Sequence, residues 1–323
     1  MSAEWQQRPE GGGRFALWLI RNIARGGGRL ISRVLLYPIT AYFLCVRGPE
    51  RRASRAYLSR VHGRPVGLMA VARHIHSFAA TILDRVFMLT GQFEQFEISV
   101  QGLDDLHAML ADGRGVLLFG SHHGSFEALR VLSRERPDIT VRVVMDQGQN
   151  PVLTQMLNDL CPEIAATVFD ARQDGTQIAL AIGEAAEKGA LVSLLVDRAR
   201  PGELTQQVAF LGEPAPFPSA PWLIASALKL PVVLCFGLYR GGRRYDLHFE
   251  RFADQVDIPR RQRASALLEW QTRYAQRLEH YVRLAPLNWF NFYDFWNAES
   301  ARPAPTAADR AVLADGKHSG PER

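Results

Sequence analysis

The residues best suited to chemistry lie between positions 115 and 130. A short apolar run, Val116 to Phe119, is followed by Gly-Ser and then by His122, His123 and, a few residues later, Glu127. Titratable groups at the exit of a buried strand occupy the place where α/β proteins build their sites. An imidazole with a carboxylate close by is a general base with an orienting partner. The sequence therefore predicts an acid–base site directly after this strand.

Two pairings satisfy the spacing of these residues. In a continuous helix, residues five apart lie about 140° apart around the axis, so His122 reaches Glu127 only from a loop before the first helical turn. His123 and Glu127 are four residues apart and would share one helix face. A histidine that simply caps the helix is the structural alternative. The spacing leaves both histidines as candidates for the base.

A second apolar run, Leu191 to Val196, ends in Asp197 and Arg198. An arginine at the end of a strand has the planar donor geometry to bind a phosphate or a carboxylate through two hydrogen bonds. The alternative is an Asp–Arg pair that closes the strand end.

Two further segments have an unusual composition. Residues 210–221 (FLGEPAPFPSAP) are rich in proline and are expected to form a loop that leads into a helix. Such a loop either shapes the mouth of a pocket or acts as a rigid connector. Residues 289–296 (WFNFYDFW) hold six aromatic side chains, which predicts burial, with an interfacial membrane belt as the alternative.

Short strands and helices alternate through the middle of the chain, which predicts an α/β fold with a mainly parallel sheet flanked by helices. A long helix from Pro65 to Leu89 precedes them. The expected strands are 96–100, 116–119, 140–145, 167–169, 191–196, 232–238 and 245–249, the last two forming an antiparallel hairpin. The expected helices between and after them are 103–111, 125–134, 151–160, 177–187, 220–228 and 260–281.

The first 60 residues carry the basic character of the chain. They contain eleven Arg against three Glu, whereas the whole chain has a net charge of +5, so the remainder is slightly acidic. Residues 14–25 predict a short amphipathic helix that ends at the glycines 26–28. The apolar run from Leu30 to Val46 is shorter than the roughly 20 residues that span a bilayer and contains Arg33 and Pro38. We expect a monotopic or re-entrant membrane anchor, with a full span as the alternative. The basic charge suits an anionic membrane surface, and a solvated arginine-rich helix is the alternative explanation for it.

These patterns divide the chain into three parts: a membrane-associating arm (1–64), one catalytic domain (65–297) and a disordered tail (298–323). Three widely spaced cysteines without a CxxC pair give no disulfide framework and no zinc site. The sequence has no GxxxxGK[ST] phosphate loop and no GxSxG nucleophile elbow. These absences argue against a P-loop nucleotidase and an α/β-hydrolase.

The order of the motifs resembles the lysophospholipid acyltransferase superfamily, and within it the bacterial lipid A biosynthesis (lauroyl/myristoyl) acyltransferase-like branch. The resemblance covers roughly residues 65–297. It rests on HSFAATILDR (76–85), His-x4-Glu after a strand, Asp-Arg at the end of a later strand, FLG-x-PA-x-FP (210–218) and the terminal NWFNFYDFW (288–296). The chain lacks the FPEGTR block of the phospholipid enzymes, for which FPSAP is only a loose counterpart.

The resemblance implies one glycerolipid-acyltransferase-like domain and selects His122 as the base, with Glu127 as its orienting acid. It implies acyl transfer from an acyl carrier protein or coenzyme A thioester to a hydroxyl of a lipid or glycolipid. Backbone N–H groups near Gly124 and Ser125 would stabilise the oxyanion. The residues expected to bind substrate are Arg130, Asp197, Arg198, Phe217 and Pro218.

The implied chemistry needs no metal and no cofactor, and the expected partners include a membrane surface but no nucleic acid. The expected location is the cytoplasmic face of the bacterial inner membrane. Two other functions remain open at this stage. One is a thioesterase or lipid hydrolase that uses the same histidine with water, and the other is a non-catalytic protein that binds lipid or acyl carrier protein.

Overall fold

A seven-stranded mixed sheet forms the centre of the computed structural model, which describes residues 14–130, 139–148, 151–160, 162–200 and 202–297. The strand order is β1-β9-β8-β2-β5-β3-β4. The strands of this sheet are β1 (Glu97–Gln101), β2 (Val116–Gly120), β3 (Val141–Met145), β4 (Val168–Asp170), β5 (Leu191–Leu195), β8 (Val232–Tyr239) and β9 (Arg244–Ala253).

Five neighbouring strands, β8, β2, β5, β3 and β4, run parallel to one another. Strand β9 returns antiparallel to β8, and β1 joins β9 in parallel. The β8–β9 hairpin turns at Gly241 and Gly242, whose φ angles of 90° and 64° favour glycine. The expected mainly parallel α/β sheet is thereby confirmed, together with its antiparallel hairpin.

Strand β2 is central because its side chains are apolar on both faces. All five of its residues are buried. Leu117 and Phe119 enter the core on one side of the sheet, and Val116 and Leu118 enter the core on the other. A strand without a polar face has to lie between other strands and under helices on both sides.

Helices cover the sheet on both faces. An arginine-rich helix over residues 48–62, which the sequence patterns did not indicate, buries Tyr57 and Leu58. Where the sequence predicts a helix over 125–134, the structure has a 3-10 turn, Glu127–Arg130, and residues 131–138 lie outside the described part. The expected tail, 298–323, also lies outside the described part. The helices are α1 (Arg14–Val46), α2 (Gly48–His62), α3 (Leu68–Leu89), α4 (Leu103–Leu110), α5 (Pro151–Leu160), α6 (Pro162–Ala165), α7 (Gly175–Glu187), α8 (Ala220–Leu228) and α9 (Arg263–Leu284).

The proline-rich segment 210–221 is not the loop that its composition predicts. Strands β6 (Thr205–Phe210) and β7 (Glu213–Pro218) form a separate antiparallel pair. In a two-stranded sheet each strand has a free edge, so prolines in β7 are tolerated. The turn between the strands uses Leu211 and Gly212, both with positive φ, which matches the twist of a tight hairpin.

Helix α1 is interrupted at Gly28, whose φ of 66° and ψ of 177° are not helical. From there it packs along α3, and Arg29, Arg33 and Thr40 face the domain. Arg29 makes two hydrogen bonds to Asp84 of α3, at 2.8 and 2.9 Å, and the Tyr245 hydroxyl donates to the same carboxylate at 2.9 Å. Further along, Thr40 hydrogen-bonds His76. These contacts attach the arm to the catalytic domain.

Because the Asp84 carboxylate is fully buried among these donors, we expect Asp84→Ala to lower the free energy of unfolding by about 3 kcal/mol. The change removes the acceptor and leaves the Arg29 guanidinium without its counterion. Chemical denaturation in detergent solution measures the effect. Asp254→Ala, which breaks an exposed pair with Arg251, is the matched control and should cost less than about 0.5 kcal/mol. Equal losses in the two variants would contradict the assignment.

Candidate functional site

The site lies at the carboxyl end of β2 and β5, and the register of these two strands builds it. Gly120 pairs with Leu195, so the chains leave the two strands side by side. His122 and Asp197 each come two residues after the end of their strand, and the equal offset brings them together. The His122 Nδ1 and Asp197 Oδ1 atoms are 2.8 Å apart, and the His122 backbone N–H donates to Asp197 Oδ2 at 3.1 Å.

Asp197 is fully buried, whereas the His122 side chain is 37% exposed. Burial by itself raises the pKa of the Asp197 carboxyl, but the His122 ring, the Arg198 guanidinium and the Trp289 indole outweigh it and hold that pKa well below its usual range. The carboxylate therefore stays ionised and accepts the Nδ1 proton. This arrangement fixes the tautomer and leaves Nε2 as the ring nitrogen available to a substrate.

Glu127 occupies a different place from the one expected for it. In the described part of the chain, Asp197 rather than Glu127 hydrogen-bonds the His122 ring. The Glu127 carboxylate faces α3, where its Oε1 lies 2.7 Å from Arg85 Nε, and Ser125 Oγ approaches its other oxygen at 3.5 Å. In place of the expected Glu127, His122 thus contacts Asp197, which lies 75 residues away along the chain. The physical reason is that Arg85 neutralises Glu127 from the neighbouring helix.

The expected oxyanion donors at Gly124 and Ser125 are also already engaged. Gly124 N–H donates to the Asn288 carbonyl at 2.8 Å, and Ser125 N–H donates to the Gly237 carbonyl at 2.7 Å. At Gly124 φ is +84°, and a Cβ there would lie 1.9 Å from the Gly237 oxygen. The two backbone groups hold the loop after β2 against β8 and the C-terminal segment, so they are not free to stabilise an oxyanion.

The aromatic C-terminal segment is part of the site, which the sequence patterns did not indicate. Trp289 forms an antiparallel bridge with His123, and Phe290 N–H donates to the His122 carbonyl at 3.1 Å. The Trp289 indole N–H donates to Asp197 Oδ2 at 3.0 Å. Trp289 is fully buried, in agreement with the expected burial of this segment. The one available signal was the polar indole within a buried cluster, because buried Trp N–H groups need a partner.

The remaining predicted substrate residues have different surroundings. Arg198 lies beside Asp197, donates to the Phe290 carbonyl at 2.8 Å and stacks over the Tyr293 ring. Phe217 is fully buried in the aromatic core and Pro218 accepts a hydrogen bond from Gln271, so both serve packing in this structure. Arg130 ends the 3-10 turn after Glu127, and its side chain lies outside the described part.

Two buried histidines support the site from behind. His123 Nε2 contacts the Ala285 carbonyl, and burial lowers the pKa of His123 to about 3. His74 of α3 lies between the Ser54 hydroxyl at 2.8 Å and the Trp289 carbonyl at 3.0 Å. Burial lowers the pKa of His74 to about 4. Both rings are therefore neutral at physiological pH.

A histidine that is neutral when buried favours the folded state above its unfolded pKa and opposes it as the pH falls. We expect the stability of the protein to decline between pH 6.5 and about 4, with His74 contributing up to about 3 kcal/mol of that loss. Denaturation curves at several pH values measure the decline. His74→Gln should flatten it, whereas His62→Gln, at an exposed position, should leave it unchanged. The same pH dependence in both variants would contradict the role of His74.

A histidine paired with a buried carboxylate at the carboxyl edge of a parallel sheet defines the general class: an α/β protein with an acid–base site. The model of the bacterial lipid A biosynthesis acyltransferase family matches residues 71–297, which include His122, Asp197 and Trp289. The chain belongs to this family, and the protein is an acyltransferase that acts on lipids. No curated protein gives a significant match to the chain.

Proposed function

We propose that this protein is a membrane-associated O-acyltransferase that moves a fatty acyl group from a thioester to a hydroxyl of a lipid or glycolipid, with His122 as general base. The observation that carries the proposal is the His122–Asp197 pair. It holds a partly exposed imidazole in one tautomer at the edge of the sheet. An acyl carrier protein or coenzyme A thioester is the donor, and the acceptor is a lipid A-like molecule.

In the first step, Nε2 of His122 takes the proton of the acceptor hydroxyl while the oxygen attacks the thioester carbonyl carbon. A C–O bond forms, and negative charge develops on the former carbonyl oxygen. Asp197 stabilises the imidazolium because its buried carboxylate already accepts the Nδ1 proton. In the second step the C–S bond breaks, and the imidazolium returns the proton to the departing sulfur, so the thiol leaves with no net change in the enzyme.

Three further charged residues have proposed supporting roles. Arg198, held by the Phe290 carbonyl, places a positive charge beside Asp197, where it suits anionic groups of donor or acceptor. Arg130, whose side chain is outside the described part, is proposed for the same purpose. Glu127 is proposed to act through its ion pair with Arg85, which ties the turn after the catalytic loop to α3.

We expect His122→Ala to lower the transfer rate by about 10³-fold or more, because no other group replaces the base. Asp197→Asn should have an effect of similar order, since the amide presents a donor to Nδ1 and disfavours the productive tautomer. Glu127→Gln should reduce the rate substantially but less. The measurement is transfer of a labelled acyl group from acyl carrier protein or coenzyme A to a bacterial lipid extract, followed by mass spectrometry of the products.

His280→Ala, on the exposed face of α9, is the control for the loss of a histidine and should keep the normal rate. A His122→Ala variant that transfers acyl groups at the normal rate would overturn the mechanism. Release of free fatty acid without any transfer would instead favour hydrolysis. Binding of thioester or lipid with neither product would favour a non-catalytic carrier.

We further propose that α1 attaches the enzyme to the membrane by lying in the plane of its surface. Residues 28–46 are long and apolar enough to cross a bilayer by length and composition. However, Arg29 and Thr40 bind side chains of α3 on the domain, so the helix packs against protein along most of this length. A helix with one face against a folded domain and one face outward fits a monotopic arrangement better than a span.

The outward face of α1 supports this proposal by its chemistry. Its exposed residues between 30 and 46 include no charged side chain, whereas Arg29 and Arg33 are turned towards the domain. This pattern is the reverse of an ordinary surface helix, whose apolar stripe faces the core. Exposed Arg52 and Arg55 on α2 follow the apolar face, which suits anionic lipid headgroups. Between residues 28 and 46, the large exposed apolar residues of α1 are Leu30, Ile31, Val34, Tyr37, Tyr42 and Val46.

The double variant Val34→Glu, Tyr37→Glu should reduce binding to vesicles of phosphatidylethanolamine and phosphatidylglycerol by about 10-fold or more, because it places charges in the buried layer of headgroups and acyl chains. Flotation of vesicles on a density gradient measures the bound fraction. Leu180→Glu, Leu204→Glu is the matched control, since these leucines are as exposed but lie elsewhere on the domain. Equal binding by both double variants would contradict the assignment of the face.

The orientation has its own test in a background without the natural cysteines, Cys45→Ser, Cys161→Ser, Cys235→Ala. Single cysteines placed at positions 30 and 46 should react with a membrane-impermeant maleimide from the same side of sealed membranes. Reaction from opposite sides would show that the helix spans the bilayer. This outcome would overturn the in-plane arrangement while leaving the proposed chemistry untouched.

A further inference from the structure

The Asp197 carboxylate depends on a donor that neither the base nor its own strand supplies. Its Oδ1 accepts from His122 Nδ1, and its Oδ2 accepts from the His122 backbone N–H. The Trp289 indole N–H, 92 residues away along the chain, donates to Oδ2 at 3.0 Å. Arg198 Nε is farther away, at 3.7 Å from the same oxygen. Among these contacts, the indole is the donor that belongs neither to His122 nor to the segment that carries Asp197.

The indole is rigidly placed. Trp289 is fully buried, and its ring packs edge-on against Tyr57, Phe210 and Phe295 at centroid distances of 5.0–5.2 Å. Its backbone is held by the bridge to His123 and by the contact between its carbonyl and His74. A ring confined on several sides has one direction for its N–H group.

The tryptophan side chain has one polar hydrogen and no hydrogen-bond acceptor, so it does not titrate and acts only as a donor. Its N–H therefore stabilises the ionised form of Asp197 more strongly than the protonated form, and it favours the rotamer in which Oδ2 faces it. In that rotamer Oδ1 faces the His122 ring. A buried carboxylate with an unfilled lone pair gains by turning towards other donors, and such a rotation would take Oδ1 away from Nδ1.

We infer that Trp289 is a positioning residue for the transfer reaction: its indole N–H locks the Asp197 carboxylate in the orientation that holds His122 ready to act as base. This inference rests on the proposed function and adds to it the C-terminal aromatic segment. That segment is then a necessary part of the reaction site as well as a cover for the core.

The test replaces the N–H group and keeps the packing. Trp289→Phe removes the donor, and substitution of Trp289 by 3-benzothienylalanine exchanges N–H for sulfur in a ring of nearly the same shape. We expect kcat to fall by about 10- to 100-fold in both proteins, as for a lost hydrogen bond to a buried charge. The KM for the acyl thioester should not change, because the indole does not touch substrate. If the Trp289→Phe variant unfolds, the protein with 3-benzothienylalanine at position 289 still provides the test.

Trp296 provides the matched control. Its indole donates to the Phe210 carbonyl, and its ring belongs to the same aromatic cluster. Trp296→Phe and the benzothienyl replacement at 296 should leave kcat within about twofold of normal, since no catalytic group loses a donor. Equal losses at 289 and 296 would show that the cluster matters only for packing, and would overturn the inference.

A double-mutant cycle separates an effect through Asp197 from a general one. In an Asp197→Ala background the donor has no carboxylate to hold, so the exchange at Trp289 should change kcat by less than about twofold. The same loss in both backgrounds would overturn the inference. The failure of the proposed function is a different result: in that case His122→Ala itself would retain the normal transfer rate.

Discussion

The site of this acyltransferase depends on one buried anion. Asp197 lies at the end of β5 without access to solvent, and such a group is tolerated only if donors surround it. Three donors do so: the His122 ring, the His122 backbone and the Trp289 indole. The first orients the proposed base, the second fixes the loop after β2, and the third binds the C-terminal segment. The requirement to satisfy one carboxylate therefore connects three distant parts of the chain.

Helix α3 likewise connects separate segments of the chain around the site. Its adjacent residues Asp84 and Arg85 face different partners: Asp84 binds Arg29 of the N-terminal arm, and Arg85 binds Glu127 behind the catalytic loop. His74, on the same helix, contacts the Trp289 carbonyl. The N-terminal arm, the Glu127 turn and the aromatic segment are thus all attached to α3. Because the arm and the turn after the catalytic loop are both attached to α3, the proposed membrane-facing surface and the proposed base keep fixed positions relative to each other.

Much of the architecture was predictable because it follows from local patterns. Apolar runs without a polar face have to become central strands, and Val116–Gly120 and Leu191–Leu195 did so with small changes at their ends. The prolines of β7 misled the prediction, because proline usually interrupts strands. In a two-stranded sheet, however, a free edge tolerates it. The helix 48–62 was missed because its arginines obscure the few apolar residues, such as Tyr57 and Leu58, that it buries.

The sequence by itself determined the family, the seven strands of the central sheet, and the presence of a histidine and an acid after central strands. Only the tertiary structure decided which acid meets the histidine. Glu127 is near His122 in the chain, but Arg85 of α3 attracts it away. Asp197 is 75 residues distant, yet the parallel register of β2 and β5 places it at 2.8 Å. Strand register and helix packing are properties of the whole core, so spacing along the chain does not contain them.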